Sequence, residues 1–484
     1  MTGPSERLAS LLAEVVGSER AETLAGSLEI RGRDPVLPTR FHVGEAAAIA
    51  LAGCGLLAAA AHECRGGAMQ SVAVDVSGAA ASLLGFALQR LEGGSLPAFS
   101  ERENITDFYA TRDGRWVLVH GGFAHLQRGM LALLGIDPDT SAAGAGAPRD
   151  RVAGAIAEWD ALALEDAVAK SGLCGALVRS ETEWHEHPQG RALAALPLVE
   201  VSRVGDSPPE PFPRDAGRPL SGVRVLDLTR VLAGPTCART LAAHGADVLK
   251  INAPHLESIP FFVVDTGHGK RSAQLDLRVP DQLAQLRALV RDADVVSQGY
   301  RLGALQRLGL DAGALHALRP GIVYTSINCY GHAGPWRERR GWEQLAQTVT
   351  GIALENGASA IGDGPGGARP QLLPAAATDY TTGYLAALGT LAALLRRAEE
   401  GGSYEVRVSL AQTGMWIQGL GRSEAAGAGL NPEILAPHMT ASDTPWGRLH
   451  HLGPIVEMSG TPARWQLPSV PLGTHPAAWS SRSG

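Results

Sequence analysis

The chain is poor in cysteine. Five cysteines, Cys54, Cys64, Cys174, Cys237 and Cys329, are spread over 484 residues. They are odd in number, far apart and form no C-x-x-C pair, which argues against a disulfide framework and against a metal site. That usage fits a reducing compartment, so a cytoplasmic location is expected. A long basic run is also missing, and the formal net charge is -7. No nucleic-acid partner is therefore expected, although a few local arginines suffice for one small polyanion. The first twenty residues lack a basic segment followed by an apolar core, so no secretory signal is read there. The most apolar stretch, residues 46–61, is mostly alanine and too short to span a bilayer, so no membrane partner is expected.

What is present is an ordinary globular composition, 45% hydrophobic and 19% charged, with length for two or three domains. Residues 219–251 organise the rest. Residues 223–228 read as a buried strand, and a loop follows to Gly234-Pro235. Pro235 suits the first turn of a helix over 236–244, and Gly245 suits its left-handed end. Residues 247–251 form a second strand. This βαβ unit is the building block of an open parallel sheet, whose ligands bind beyond the carboxyl ends of the strands, here at 227–234. The loop has no G-x-G-x-x-G, so a dinucleotide fingerprint is absent. Further βα passages at 273–277, 294–298 and 322–327, with helices at 282–292 and 305–318, predict an α/β, Rossmann-like open sheet with helices on both faces.

One pattern recurs. A helix at 45–63, Gly66-Gly67 and a strand at 71–76 repeat as a helix at 379–398, Gly401-Gly402 and a strand at 405–410. At an offset of 334, Gly55 falls on Gly389, Val72 on Val406 and Glu45 on Asp379. Residues 1–30 read as surface helices. Residues 106–120 read as a hairpin turning on the two residues Asp113-Gly114. A helix at 152–171, a strand at 173–178 and an extended piece at 191–204 follow. The domains expected are 1–105, a helical segment with a partial repeat; 106–206, a smaller α+β domain; 207–218, a Pro-rich linker; 219–425, the Rossmann-like domain; and 426–484, a C-terminal extension with a loop at 428–437, a strand at 450–458 and a tail packed through Trp479.

Residues 219–251 resemble the opening of the family III CoA-transferases in Leu220, Gly222, Ala233-Gly234-Pro235 and Gly245-Ala246-Asp247-Val248-Leu249-Lys250. Lys270-Arg271-Ser272, Tyr330-Gly331 and Gly334-Pro335 match the same family. Tyr109, Thr111, Asp113-Gly114, Trp116, Glu183-Trp184 and His187-Pro188 resemble its small domain, which here precedes the family's usual beginning. The chain thus resembles a permuted, partly duplicated member. The resemblance implies the family's fold, a CoA-transferase activity between an acyl-CoA and a carboxylic acid, and no cofactor or metal beyond the CoA thioester. Members form interlocked homodimers. Monomer and dimer both stay open for this order of segments.

The resemblance places the family's catalytic aspartate at Asp379, followed by Gly383. Read from the residues alone, Thr378 or Asp379 is equally a helix cap. A carboxylate suits transfer through an aspartyl anhydride and an aspartyl-CoA thioester. The CoA-binding candidates are Arg230, Val231, Ala233, Lys270, Arg271, Tyr300 and Arg301; fork-like donors suit its phosphates. Glu45, longer by one methylene, is expected to be non-catalytic. Two alternatives stand beside transfer. One is an acyl-CoA racemase or isomerase, disfavoured because Trp342 occupies the position of that branch's histidine. The other is a CoA-binding homologue without turnover, favoured by the lack of a clear counterpart to the family's glycine-rich flap; residues 357–367 are glycine-rich but precede the helix.

Overall fold

A computed structural model describes residues 3–96, 104–137, 148–214, 217–359 and 369–480. The small-residue loop around 141–147 and most of the glycine-rich stretch, 360–368, lie outside the described residues.

Ten strands and six helices carry the argument. The strands are β1 Leu28–Arg31, β2 Val72–Asp75, β3 Glu200–Gly205, β4 Arg224–Asp227, β5 Asp247–Asn252, β6 Lys270–Gln274, β7 Val295–Gln298, β8 Val323–Asn328, β9 Ser403–Ser409 and β10 Glu457–Met458. The helices are α1 Val43–Cys64, α2 Val76–Ser82, α3 Ala124–Leu133, α4 Ala233–Ala243, α5 Ala377–Glu400 and α6 Leu410–Gly419. The main sheet has the order β6-β5-β4-β7-β8-β9-β3. It is parallel except for β3, which closes the edge antiparallel to β9. The central strands are buried along nearly their whole length because helices cover both faces. The chain moves from β4 to β5 and β6 on one side, then jumps to β7 on the other. The crevice between the carboxyl ends of β4 and β7 is therefore the switch point of the sheet. In the βαβ unit, α4 starts at Ala233, and Gly245 takes φ +109° after the helix ends.

The repeat is structural. α1 and α5 lie against each other, and both are almost wholly buried. A Cβ on Gly55 would stand 2.7 Å from Val72, and one on Gly389 would stand 2.6 Å from Val406. The same offset relates both glycines and both valines, so each helix lies on its strand at the same point. Asp75 caps α2 by accepting from Gly78 N, and Ser409 caps α6 by accepting from Gln412 N, again at that offset. β2 lies between a parallel β1 and an antiparallel β10, as β9 lies between β8 and β3. Among the described residues the first copy stops there: its sheet has three strands, with no equivalents of β4 to β7. α1 is the one helix among the described residues long and apolar enough to cross a membrane, and 94% of its most apolar window is buried within the protein.

Several local expectations change. β6 begins at Lys270, so the Lys-Arg-Ser triplet lies inside a strand. Residues expected to be extended from 191 begin with a helix, Pro188–Ala194, capped by His187. The helix expected at 305–318 splits into Gln306–Leu308 and Ala312–Leu318, because Gly309 turns left-handed between them. The segment 152–171 is likewise two helices, Pro148–Ile156 and Ala161–Lys170. The hairpin Asp107–Ala110 with Trp116–Val119 closes over a wider turn than two residues: Thr111 N bonds Arg115 O, and Gly114 takes the positive φ. β1 falls within the stretch expected to be helical, and Leu8 and Leu12 of the first helix are fully buried rather than superficial. The loop at 428–437 contains a short helix, Pro432–Leu435, and a further hairpin joins Met439–Thr444 to Gly447–Leu452. The tail is fixed as expected at Trp479, whose indole N–H donates to Leu289 O at 3.0 Å.

Candidate functional site

A cleft of about 330 Å³ opens at the switch point. Its floor is the β4–α4 loop, Arg230 to Gly234, with Gly299, Tyr300 and Arg301 from the end of β7. Asp379 of α5 lies in the same cleft and is 8% exposed. The far wall comes from the first half of the chain: Phe123, His125, Leu126 and Cys174. Trp342 stacks on that wall, 5.0 Å from Phe123 and 5.6 Å from His120, ring centre to ring centre.

Gly383 explains how α4 and α5 meet. It lies one turn after Asp379, and a Cβ there would land on the carbonyl oxygen of Ala233. Only glycine lets the two backbones touch, and the contact brings the amino-terminal ends of both helices to the cleft. α5 begins at Ala377 after an Ala376 that offers no side-chain cap, so Asp379 is the third helical residue and not the cap. Thr378 is not a cap either; its hydroxyl donates to Glu343 Oε1 at 3.1 Å.

Glu343 is the residue that sequence reasoning passed over. It opens the helix Glu343–Thr350, is 6% exposed, and accepts from Thr378 and from the Gln347 amide. Burial pushes its carboxyl up to about 7. Asp379 is held well above the ordinary carboxylate range, by burial first and by the Glu343 charge second. The two carboxyls titrate as a pair. An acidic residue in a first helical turn normally reads as a dipole partner, and no local pattern marks Glu343 as the neighbour of a residue 36 positions away.

Of the sequence candidates, Arg230, Val231, Ala233, Tyr300 and Arg301 line the cleft with Asp379. The Arg230 guanidinium lies 5.6 Å over the Phe123 ring and donates to Glu257 O. Burial raises the Tyr300 hydroxyl. Lys270 and Arg271 are placed elsewhere. Lys270 is 2% exposed and donates to Asp227 Oδ2 at 2.8 Å and Pro235 O at 2.7 Å. It borders a chamber beside the cleft rather than the cleft itself. Arg271 forks onto Asp247 at 2.8 and 3.0 Å and holds Ala478 O of the tail at 2.6 Å. Arg339 and Arg340 also line the cleft and were not anticipated. Arg339 is anchored on Gly175 O and over Trp336, 4.0 Å from its ring centre.

Glu45 is stitched in place. Its backbone N donates to Asp34 Oδ2 at 2.7 Å, and its Oε1 accepts from Asp34 N at 3.2 Å. Among the described residues the first copy lacks the strands that build the crevice, and Glu45 does not line the cleft. His332 hydrogen-bonds Ser326 at 2.8 Å and is driven down to about 3 by burial. Among the described residues, no group of three or more His, Cys, Asp or Glu is arranged to hold a metal ion.

The model of a family described as CoA-transferase family III matches residues 20–205 and 220–434. The chain is 34% identical over 333 residues to the acetyl-coenzyme A transferase nodX of Hypoxylon pulicicidum, covering 66% of this chain and 55% of that protein. It is 35% identical over 317 residues to an acyl-CoA transferase of Gibberella moniliformis, covering 63% and 55%. It thus spans about half the length of the curated relatives it matches. Among solved structures, a CAIB/BAIF family protein from Brucella suis aligns at 28% identity with a TM-score of 0.38, over 48% of this chain and 65% of that one.

Proposed function

The chain belongs to CoA-transferase family III, and from that premise we propose that it moves CoA from an acyl-CoA thioester to a carboxylic acid by covalent catalysis at Asp379. The observation that carries this reading is a desolvated carboxyl on the helix end that faces the switch-point crevice. The relatives named for acetyl-CoA and acyl-CoA transfer support the same class of substrate.

The ionised Asp379 attacks the thioester carbonyl. The C–S bond breaks, CoA leaves as the thiolate, and an aspartyl–acyl anhydride remains. The thiolate then attacks the aspartyl carbonyl of that anhydride. The donor acid leaves as its carboxylate, and an aspartyl-CoA thioester forms. An acceptor carboxylate repeats the two steps in reverse and frees Asp379. No water, oxidant or metal enters the balance. The converging ends of α4 and α5 supply partial positive charge to the oxyanions. Arg230 and Arg301 are the proposed phosphate contacts. The Glu343 charge adds to burial in raising the affinity of Asp379 for its proton.

The test is incubation with a panel of acyl-CoAs, hydroxylamine trapping and peptide mass spectrometry. A hydroxamate on the Asp379 peptide is expected. Asp379→Asn is expected to abolish exchange and keep CoA binding. An unmodified Asp379 across the panel, with CoA still bound, would overturn the covalent reading.

A further inference from the structure

Val231 is the one non-glycine residue with a positive φ, +68°, among the described residues. A β-branched side chain there is a steric outlier, and such a conformation persists only where the surroundings over-determine it. Val231 sits midway along the β4–α4 loop and lines both the cleft and the adjoining chamber.

The surroundings are a buried ion cluster that grips both ends of the loop. Asp227, the last residue of β4, is fully buried. It accepts from Lys270 Nζ at 2.8 Å and lies 3.7 Å from Lys250 Nζ. At the near end of the loop, Thr229 N donates to Asp227 Oδ1 at 2.9 Å, the Thr229 hydroxyl joins it, and Lys250 Nζ donates to Thr229 O. At the far end, Lys270 Nζ donates to Pro235 O at 2.7 Å. Between them, a Cβ on Gly234 would collide with the Thr229 side chain, so the loop is closed tightly on itself. Desolvating two ammonium groups around one carboxylate is a poor source of stability. A clamp on the loop is the use that this arrangement serves.

We propose that Asp227, Lys250 and Lys270 form a clamp that keeps Val231 left-handed and so presents the backbone of the β4–α4 loop to the cleft that holds Asp379. Val231 and the two lysines are positioning residues that act through the loop. This inference rests on the exchange reaction proposed above.

A double-mutant cycle tests it, with kcat and the Kd for CoA measured separately. Lys270→Met removes one grip while Lys250 still pairs Asp227. In the native background it is expected to lower kcat by on the order of 10²-fold, as a displaced loop should, and to weaken CoA binding as well, since Arg230 lies on the same loop. In a Val231→Gly background the same substitution is expected to cost roughly five- to thirtyfold less, because glycine adopts the left-handed conformation without the steric cost that valine carries. An equal loss in both backgrounds overturns the clamp. A loss confined to CoA affinity overturns it too, since Lys270 is then a ligand. If Lys270→Met does not fold, Lys250→Met poses the same question from the Thr229 end. The melting temperatures of the four proteins read the coupling without turnover. Val231→Gly should stabilise the clamped protein more than the unclamped one, and equal effects count against the clamp. Absence of exchange in the unsubstituted protein would count against the proposed function and leave this thermal comparison standing.

Discussion

Replacing Glu343 by Gln separates its charge from its shape. The amide keeps the size and still accepts from Thr378, so packing is preserved. The charge is what changes. Glu343 titrates near 7 in the folded protein against an ordinary 4.5. Between those values the folded state holds a proton that the unfolded state releases, so stability falls as pH rises. Integrating that difference from pH 5 to pH 8 gives on the order of 2–3 kcal/mol of destabilisation, which the Gln variant escapes. For a chain of this length, that is a melting-temperature advantage over the native protein that grows by ~2–3 °C across the same interval. The catalytic consequence runs in parallel. In the proposed mechanism Asp379 acts only when ionised, and the Glu343 charge is the second cause holding its proton on. Without that charge, the acidic limb of the exchange rate should move to lower pH. The assay is acyl-CoA exchange from pH 4.5 to 8.5, beside thermal melts in the same buffers. An acidic limb that stays put, with a pH-independent difference in melting, would refute the coupling between the two carboxyls.

Gly383→Ala should force α4 and α5 apart at the Ala233 carbonyl; an overpacking loss of about 1–3 kcal/mol in denaturant melts is expected, with exchange impaired more than CoA binding. His120 and His244 are held down to about 4 by burial, so the unfolded state takes up their protons first; stability present above pH 6.5 should be lost as pH falls toward 4, by at most about 3 kcal/mol for each, and calorimetry from pH 7 to 4 reads it. Glu45→Gln should leave the exchange rate within about twofold and cost about 1 kcal/mol, since it weakens one part-buried hydrogen bond and touches no part of the crevice.

The sheet was legible because its strands are apolar runs punctuated by Gly, Pro and Asp, and because the β4–α4 unit carries both helix-end signals. The repeat was legible for a physical reason: Gly55 and Gly389 are where a helix touches its strand, and neither position tolerates a side chain. Asp379 was legible only through the resemblance, since a carboxylate in a first helical turn is ordinary. Glu343 was hidden because its partner is brought to it by tertiary packing. The burial of Lys270 was not legible, because a basic residue beside a strand end looks free in sequence. Only the register of β6 against β5 shows it turned inward onto Asp227. The division at 309 and the helix at 188–194 were missed because propensity over so few residues decides little against tertiary context.

The cleft draws its two faces from segments distant in sequence: Phe123 and Cys174 on one side, Arg230 and Asp379 on the other. A guest seated between them becomes a further cross-tie between stretches already joined by hydrogen bonds such as Arg339 to Gly175 O and Ala124 N to Glu257. The slowest amide exchange should then spread into residues 104–199 once the cleft is filled, although those residues hold none of the reacting groups.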